Sequence, residues 1–294
     1  MKFYLALVMG LLVGCNDDSN GRNMNSEHAL IKLELEQPIE TLAAESPIEF
    51  SKECLDEAGM CWYKISRAGS DPLLPTFEVQ QGGRVLLLQQ ATDISIAFNQ
   101  RIDESVQNFN ITLRGLPDNS THEATQEFLY TLISDIEEAG WQHYYSPSDP
   151  RISGSQADKI DSPDDVLGSY VMSHPWLDPD HQIDLQRWLE LGSFYNWYFY
   201  NDGAYLHLRA WRRDSENAPM EKATYLITLE FLTESAYWLS GFSEEEDKER
   251  WKELLPARLD EYRQQREKLE ARARAAGIEI DEAYQDPPIK ALAD

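Results

Sequence analysis

Residues 194–231 contain three short runs with one strong preference. Phe194-Tyr195-Asn196-Trp197-Tyr198-Phe199-Tyr200 and Tyr205-Leu206-His207-Leu208-Arg209-Ala210-Trp211 are strongly β-forming, and Tyr225-Leu226-Ile227-Thr228-Leu229-Glu230-Phe231 is a third such run. Asn201-Asp202-Gly203 between the first two is a tight turn. A chain with this stretch must build an antiparallel sheet and find something to cover its apolar face.

The first half has the same style. Phe77-Glu78-Val79, the Gly82-Gly83 turn and Arg84–Leu88 predict a hairpin, and period-2 runs at 94–98 and 109–113 extend it to a small antiparallel sheet over 77–114. Ser120-Thr121-His122-Glu123 reads as a capping box with Ser120 as cap. It opens a helix whose apolar face is Phe128, Leu129, Leu132, Ile133 and Ile136, stopped by Gly140. Trp141–Tyr145 suits a returning strand. Residues 146–183 are proline-rich loop and the expected boundary between halves, with a helix start at Ser162-Pro163 and a short helix over 183–192. A second capping box, Ser243-Glu244-Glu245-Glu246, predicts a long helix to Ala276, kinked or restarted at Pro256 and ended by Gly277. The tail from Ile278 reads as loose. The expected class is α+β: two small antiparallel-sheet-plus-helix units, over 46–150 and 151–294, with a long C-terminal helix.

At the N-terminus, Lys2 precedes an apolar run that ends in Leu12-Val13-Gly14-Cys15. The run is shorter than the roughly 20 residues a membrane span needs, so 1–14 reads as a secretion signal. Leu12–Cys15 resembles the lipobox of bacterial lipoproteins. That resemblance implies cleavage before Cys15, diacylglycerol on its sulfur and a fatty acid on its new amine. The bilayer is then a partner through the acylated Cys15, and several acyl chains make the anchoring stable. Residues 15–45 read as the lipidated N-terminus and a flexible tether. Asn16, where inner-membrane retention in enteric lipoproteins favours Asp, favours the outer membrane and a periplasm-facing body.

Fifty-two acidic against 26 basic residues give a net charge of −26. Nucleic acid is thereby excluded as an expected partner, because phosphate binding needs basic patches. Cationic proteins or metal ions are electrostatically admissible. Cys54 and Cys61 form a closely spaced pair in an exported chain, which reads as a disulfide.

No motif identifies a reaction. The chain has no Gly-x-Ser-x-Gly elbow, no His-Glu-x-x-His helix and no P-loop. No catalytic residue, metal or cofactor is expected. The stretch His174–Asp184 has two His and three Asp, a composition compatible with a metal. Its first reading is structural, with Asp178 capping a short helix and Pro179 at its first position. The aromatic hairpin offers Tyr198, Tyr200, Tyr205 and Trp211 as exposed partner-binding residues, and Arg209, Arg212 and Arg213 form a small basic spot. Glu244, Glu245 and Glu246 are the acidic candidates for steering a cationic partner.

Lipobox, acidic α+β body and missing catalytic motifs together resemble the periplasmic lipoprotein immunity proteins that neutralise type VI secretion effectors such as phospholipases. That resemblance implies a non-catalytic protein that docks over a toxin's active site. An assembly lipoprotein of an envelope or secretion machine is the alternative, and an envelope enzyme or glycan-binding module a third.

Overall fold

The computed structural model describes residues 28–57, 59–100 and 104–293. Its first half holds β1 (Leu30–Glu34), α1 (Ile39–Glu45), β2 (Ser51–Leu55), β3 (Met60–Ser66), β4 (Thr76–Gln81), β5 (Arg84–Leu88), β6 (Ala91–Asn99) and β7 (Asn108–Leu113). Next come β8 (Ser120–Thr121), α2 (His122–Glu138), β9 (Gln142–His143) and α3 (Leu185–Glu190). The chain finishes with β10 (Phe194–Asn201), β11 (Ala204–Asp214), β12 (Lys222–Thr233), α4 (Glu234–Leu239), α5 (Glu245–Glu249) and α6 (Trp251–Ala275). The class is α+β, with strand pairing antiparallel except between β1 and β4 and a long C-terminal helix.

One sheet runs through both sequence halves, in the order β2-β3-β6-β7-β12-β11-β10-β9, with β8 also on β12. The joint is β7 against β12, from Ile227 opposite Leu113 to Leu232 opposite Asn108. The division at 150/151 is therefore not a break in the sheet. Local pattern reveals strands but not which edges meet, so two similar halves read as two units. The expected sheet over 77–114 is also divided. β6 and β7 belong to the long sheet, whereas β4 and β5 join β1 in a separate three-stranded sheet.

β1 pairs parallel to β4 and buries Ile31 and Leu33, and α1 buries Ile39 and Leu42. The tether expected over 15–45 is therefore corrected from Leu30 onward, where alternating apolar residues buy a place in the core. The expected signal 1–14, Cys15, Asn16 and the tether through residue 27 lie outside the described residues.

The small sheet, α2, α3 and the segment 146–183 cover one face of the long sheet in a single core that includes Phe77, Phe109, Phe231, Trp188 and Trp197. The segment 146–183 is no linker, since Ile152, Ile160, Val171 and Trp176 are buried within it. No helix starts at Ser162; its hydroxyl and the Asp165 carboxylate instead bond each other across a turn at 2.9 Å. α2 begins one residue later than expected. Ser120 and Thr121 pair with β12, and Thr121 rather than Ser120 caps the helix by accepting from the Ala124 N–H at 3.2 Å.

The C-terminal helix breaks at Arg250, and Ser243 does not cap it, since α5 starts after Glu244 with no side-chain cap. Pro256 lies inside α6. The helix runs on through it from Trp251 to Ala275 and does not restart there; Pro256 has no N–H to offer the carbonyl of Lys252, an exposed residue. Gly277 ends α6 as expected, and the Ile278 N–H reaches back to the Ala273 carbonyl at 2.9 Å. The tail is strapped down. The Tyr284 hydroxyl accepts from the Tyr145 N–H, and Glu234 accepts from the amides of Lys290 and Ala291 at 2.9 and 2.7 Å.

Candidate functional site

Alternation along β10, β11 and β12 sends Tyr195, Trp197 and Phe199 into the core and Phe194, Asn196, Tyr198 and Tyr200 to the opposite face. The two-residue turn between β10 and β11 takes positive φ at Asp202 (45°) and Gly203 (89°), the geometry that keeps a hairpin's strands in register. Register then sets the order of side chains across the second face. Phe194 lies opposite Trp211, and Trp211 opposite Leu226.

The two ends of this face differ. At the turn end α4 and α6 close over it. Tyr205 is 2% exposed and its ring stacks on Tyr237 at 3.8 Å; Tyr144, Trp238, Phe242, Trp251 and Leu255 are buried in the same cluster, with Tyr198 and Tyr200 packed at its edge. Burial raises the hydroxyl pKa of both Tyr205 and Tyr198. At the other end Phe194 (60% exposed), Trp211 (41%) and Leu226 (49%) form a cross-strand apolar row facing solvent. Beside it runs a groove of about 820 Å³ whose walls include Trp211, Leu226, Arg114, Leu116, Pro117 and Arg213.

Between the ends the face is polar. His207 Nε2 donates to Asn196 Oδ1 at 2.9 Å, and its ring stacks on Tyr198 at 4.4 Å. Glu230 lies 3.8 Å from both His207 and Arg209. The neighbouring His207 imidazole, with Arg209, holds its carboxyl below the usual glutamate value despite burial.

Among the expected partner-binding residues, Trp211 is open, Tyr198 and Tyr200 are half-buried, and Tyr205 is core. Tyr205 is thus corrected, because α4 covers the strand end that carries it. Trp211 lies six residues along β11 from Tyr205, roughly 20 Å at strand rise, so the structure does not gather the four into one patch. It adds Phe194 and Leu226, which the cross-strand register alone identifies. The basic spot divides as well. Arg212 turns inward, donating to the Leu191 carbonyl at 3.1 Å and pairing with Asp214 at 3.0 Å, while Arg213 lines the groove. Glu244, Glu245 and Glu246 are exposed around the start of α5. Cys54 and Cys61 are disulfide-bonded, directly opposite each other on β2 and β3.

In the stretch 174–184, Asp178 opens no helix and Pro179 is the first residue of none; Asp178 instead follows the short helical turn Pro175–Leu177. Its carboxylate turns inward and accepts from the amides of Gly154 and Asp180. The capping roles fall to His174, whose Nδ1 accepts from Trp176 N, and to Asp184, which accepts from Arg187 N at the start of α3. Asp178 and Asp180 face His143 of β9. Burial lowers the His143 pKa although Asp178, Asp180 and Asp281 oppose the shift. Burial, then Asp180 and Asp178, push the nearby Glu137 carboxyl up to about 7. His143 and Glu137 lie more than 30 residues from that loop, so sequence spacing carries no signal of the meeting.

Among the described residues no helix is long and apolar enough to cross a membrane. No family model, no curated protein and no solved structure matches this chain.

Proposed function

We propose that the protein is a lipid-anchored binding protein of the cell envelope, tethered through Cys15 and facing the periplasm. In this reading it neutralises a secreted antibacterial effector by direct contact. The open Phe194–Trp211–Leu226 row carries the proposal. Exposed aromatics beside a groove, rimmed by Arg114 and Arg213, have the make-up of an interface centre, where one aromatic is worth about 2 kcal/mol or more. The acidic body, with Glu244, Glu245 and Glu246 exposed, would draw a cationic partner and speed encounter rather than hold the complex.

The test uses the product of the neighbouring gene, expressed in the periplasm with and without this protein. The expected outcome is a product toxic alone and silenced by the wild-type chain. Trp211→Ala and Phe194→Ala should lose protection through faster dissociation, while remaining folded. A product that is harmless alone, or equally toxic with this protein present, would replace this reading with an assembly role.

A further inference from the structure

Three elements meet beside the sheet edge at β9, one of them distant in sequence from the other two. The last turn of α2 brings Glu137, β9 brings His143, and the loop before α3 brings Asp178 and Asp180. Ligating atoms of His143, Asp178 and Asp180 lie within 4.8 Å of one another. His143 Nδ1 is 3.4 Å from Asp178 Oδ1, and the Glu137 carboxyl lies beside Asp180.

Several features separate this group from a solvated acidic patch. It contains an imidazole, only 11% exposed, whose Nδ1 faces the Asp178 carboxylate at 3.4 Å. Buried polar groups are normally paired, and this ring takes carboxylate oxygens as its neighbours. Moreover, among the described residues no lysine or arginine pairs with Glu137, Asp178 or Asp180, whereas the buried Glu270 is gripped by Arg151. Asp178 is also held in place from behind by the amides of Gly154 and Asp180. Backbone support of this kind orients a metal-ligating carboxylate. It requires a glycine at 154, where a Cβ would stand 2.8 Å from Asp178 Cβ and 2.4 Å from His181 Cβ. Finally, Asp178 is buried while Asp180 is exposed, so the group has a fixed floor and an open mouth.

We infer that His143, Asp178 and Asp180, with Glu137 at the rim, bind one divalent transition-metal ion of the Zn²⁺ or Mn²⁺ class. One imidazole with two or three carboxylates suits such ions, whereas Ca²⁺ and Mg²⁺ favour all-oxygen sites. Bonds of about 2.0–2.2 Å place tetrahedral ligands roughly 3.3 Å apart, so the exposed Asp180 closes the site by a small rotation. The ion ties the loop 178–180 and the end of α2 to the sheet edge and neutralises the clustered carboxylates. This inference is independent of the proposed binding face.

The experiment titrates the untagged full chain, stripped with EDTA, with ZnCl₂, MnCl₂ and MgCl₂ by calorimetry and thermal unfolding. Zn²⁺ or Mn²⁺ should bind at one ion per chain. At a hundredfold excess over Kd the bound ion should raise Tm by on the order of 5–10 °C. Asp180→Asn, an exposed change that spares the fold, should weaken binding at least tenfold, and His143→Gln should abolish it. Absence of saturable binding by either ion overturns the inference. So does Mg²⁺ binding of equal strength, or a folded Asp180→Asn protein that titrates like wild type.

Discussion

Arg151 clasps Glu270 with two parallel bonds, Nε to Oε1 at 2.7 Å and Nη2 to Oε2 at 2.9 Å, across 119 residues of chain. The pair docks α6 on the segment 146–151, and Arg266 adds bonds to the carbonyls of Asp149 and Ser146 at 2.9 Å. Polar docking explains why no apolar seam continues along α6 beyond Tyr262. Glu270 is almost fully buried, so Glu270→Ala should destabilise by about 3 kcal/mol, because Arg151 keeps only its longer contacts with Glu282 and the Tyr284 carbonyl.

The same pair predicts an acid dependence. Burial alone would raise the Glu270 carboxyl, but the bonds from Arg151 win and hold it below 4.5, the ordinary glutamate value. A depressed folded pKa gives stability that is complete above the unfolded pKa and lost as pH falls through the folded one. Denaturant unfolding from pH 6 down to pH 2 should therefore show a loss below about 4.5. That loss should be smaller in Glu270→Gln. An identical acid limb in the two proteins would contradict the assignment.

The Cys54–Cys61 bond joins opposite residues of a hairpin and closes a short loop. Restricting such a loop in the unfolded chain is worth roughly 2–3 kcal/mol. Thiol labelling of the denatured, unreduced protein should find neither cysteine free, and reduction should lower Tm by several degrees. Labelling of both would remove the bond from the account.

Tyr205 and Trp211 share a strand face but should respond oppositely to truncation. Tyr205→Ala opens a hole under α4 and should cost about 3–5 kcal/mol. Trp211→Ala removes a ring that is 41% exposed, and Tm should change little, by about 0.5 kcal/mol equivalent. Equal losses in thermal melts would mean that the apolar row is part of the core rather than an open surface.

Under the proposed anchoring, Cys15→Ala should move the protein from the membrane pellet to the soluble fraction after a salt wash. Retention in the pellet would remove the lipid anchor from the proposal. Charge reversal at Glu244, Glu245 and Glu246 should slow association with the partner, and added salt should erase the difference from wild type. A difference that persists in high salt would assign these residues to the contact itself.

Local signals were sufficient for the hairpins at 82–83 and 201–203, the apolar face of α2, the stop at Gly277 and the Cys54–Cys61 pair. In each, the physics lies within a few residues: turn dihedrals, a 3.6-residue period, or two thiols held close by the chain. Tertiary structure decided the rest. Pairing of β7 with β12 merged two similar halves into one sheet, because strand edges carry no local label of their partner. Packing of α4 and α6 buried Tyr205 and left Trp211 open, although both lie on one face of one strand. Folding also turned Asp178 from an expected helix cap toward His143, 35 positions away in sequence. Side chains that far apart acquire a common chemistry only when the backbone between them has chosen its path.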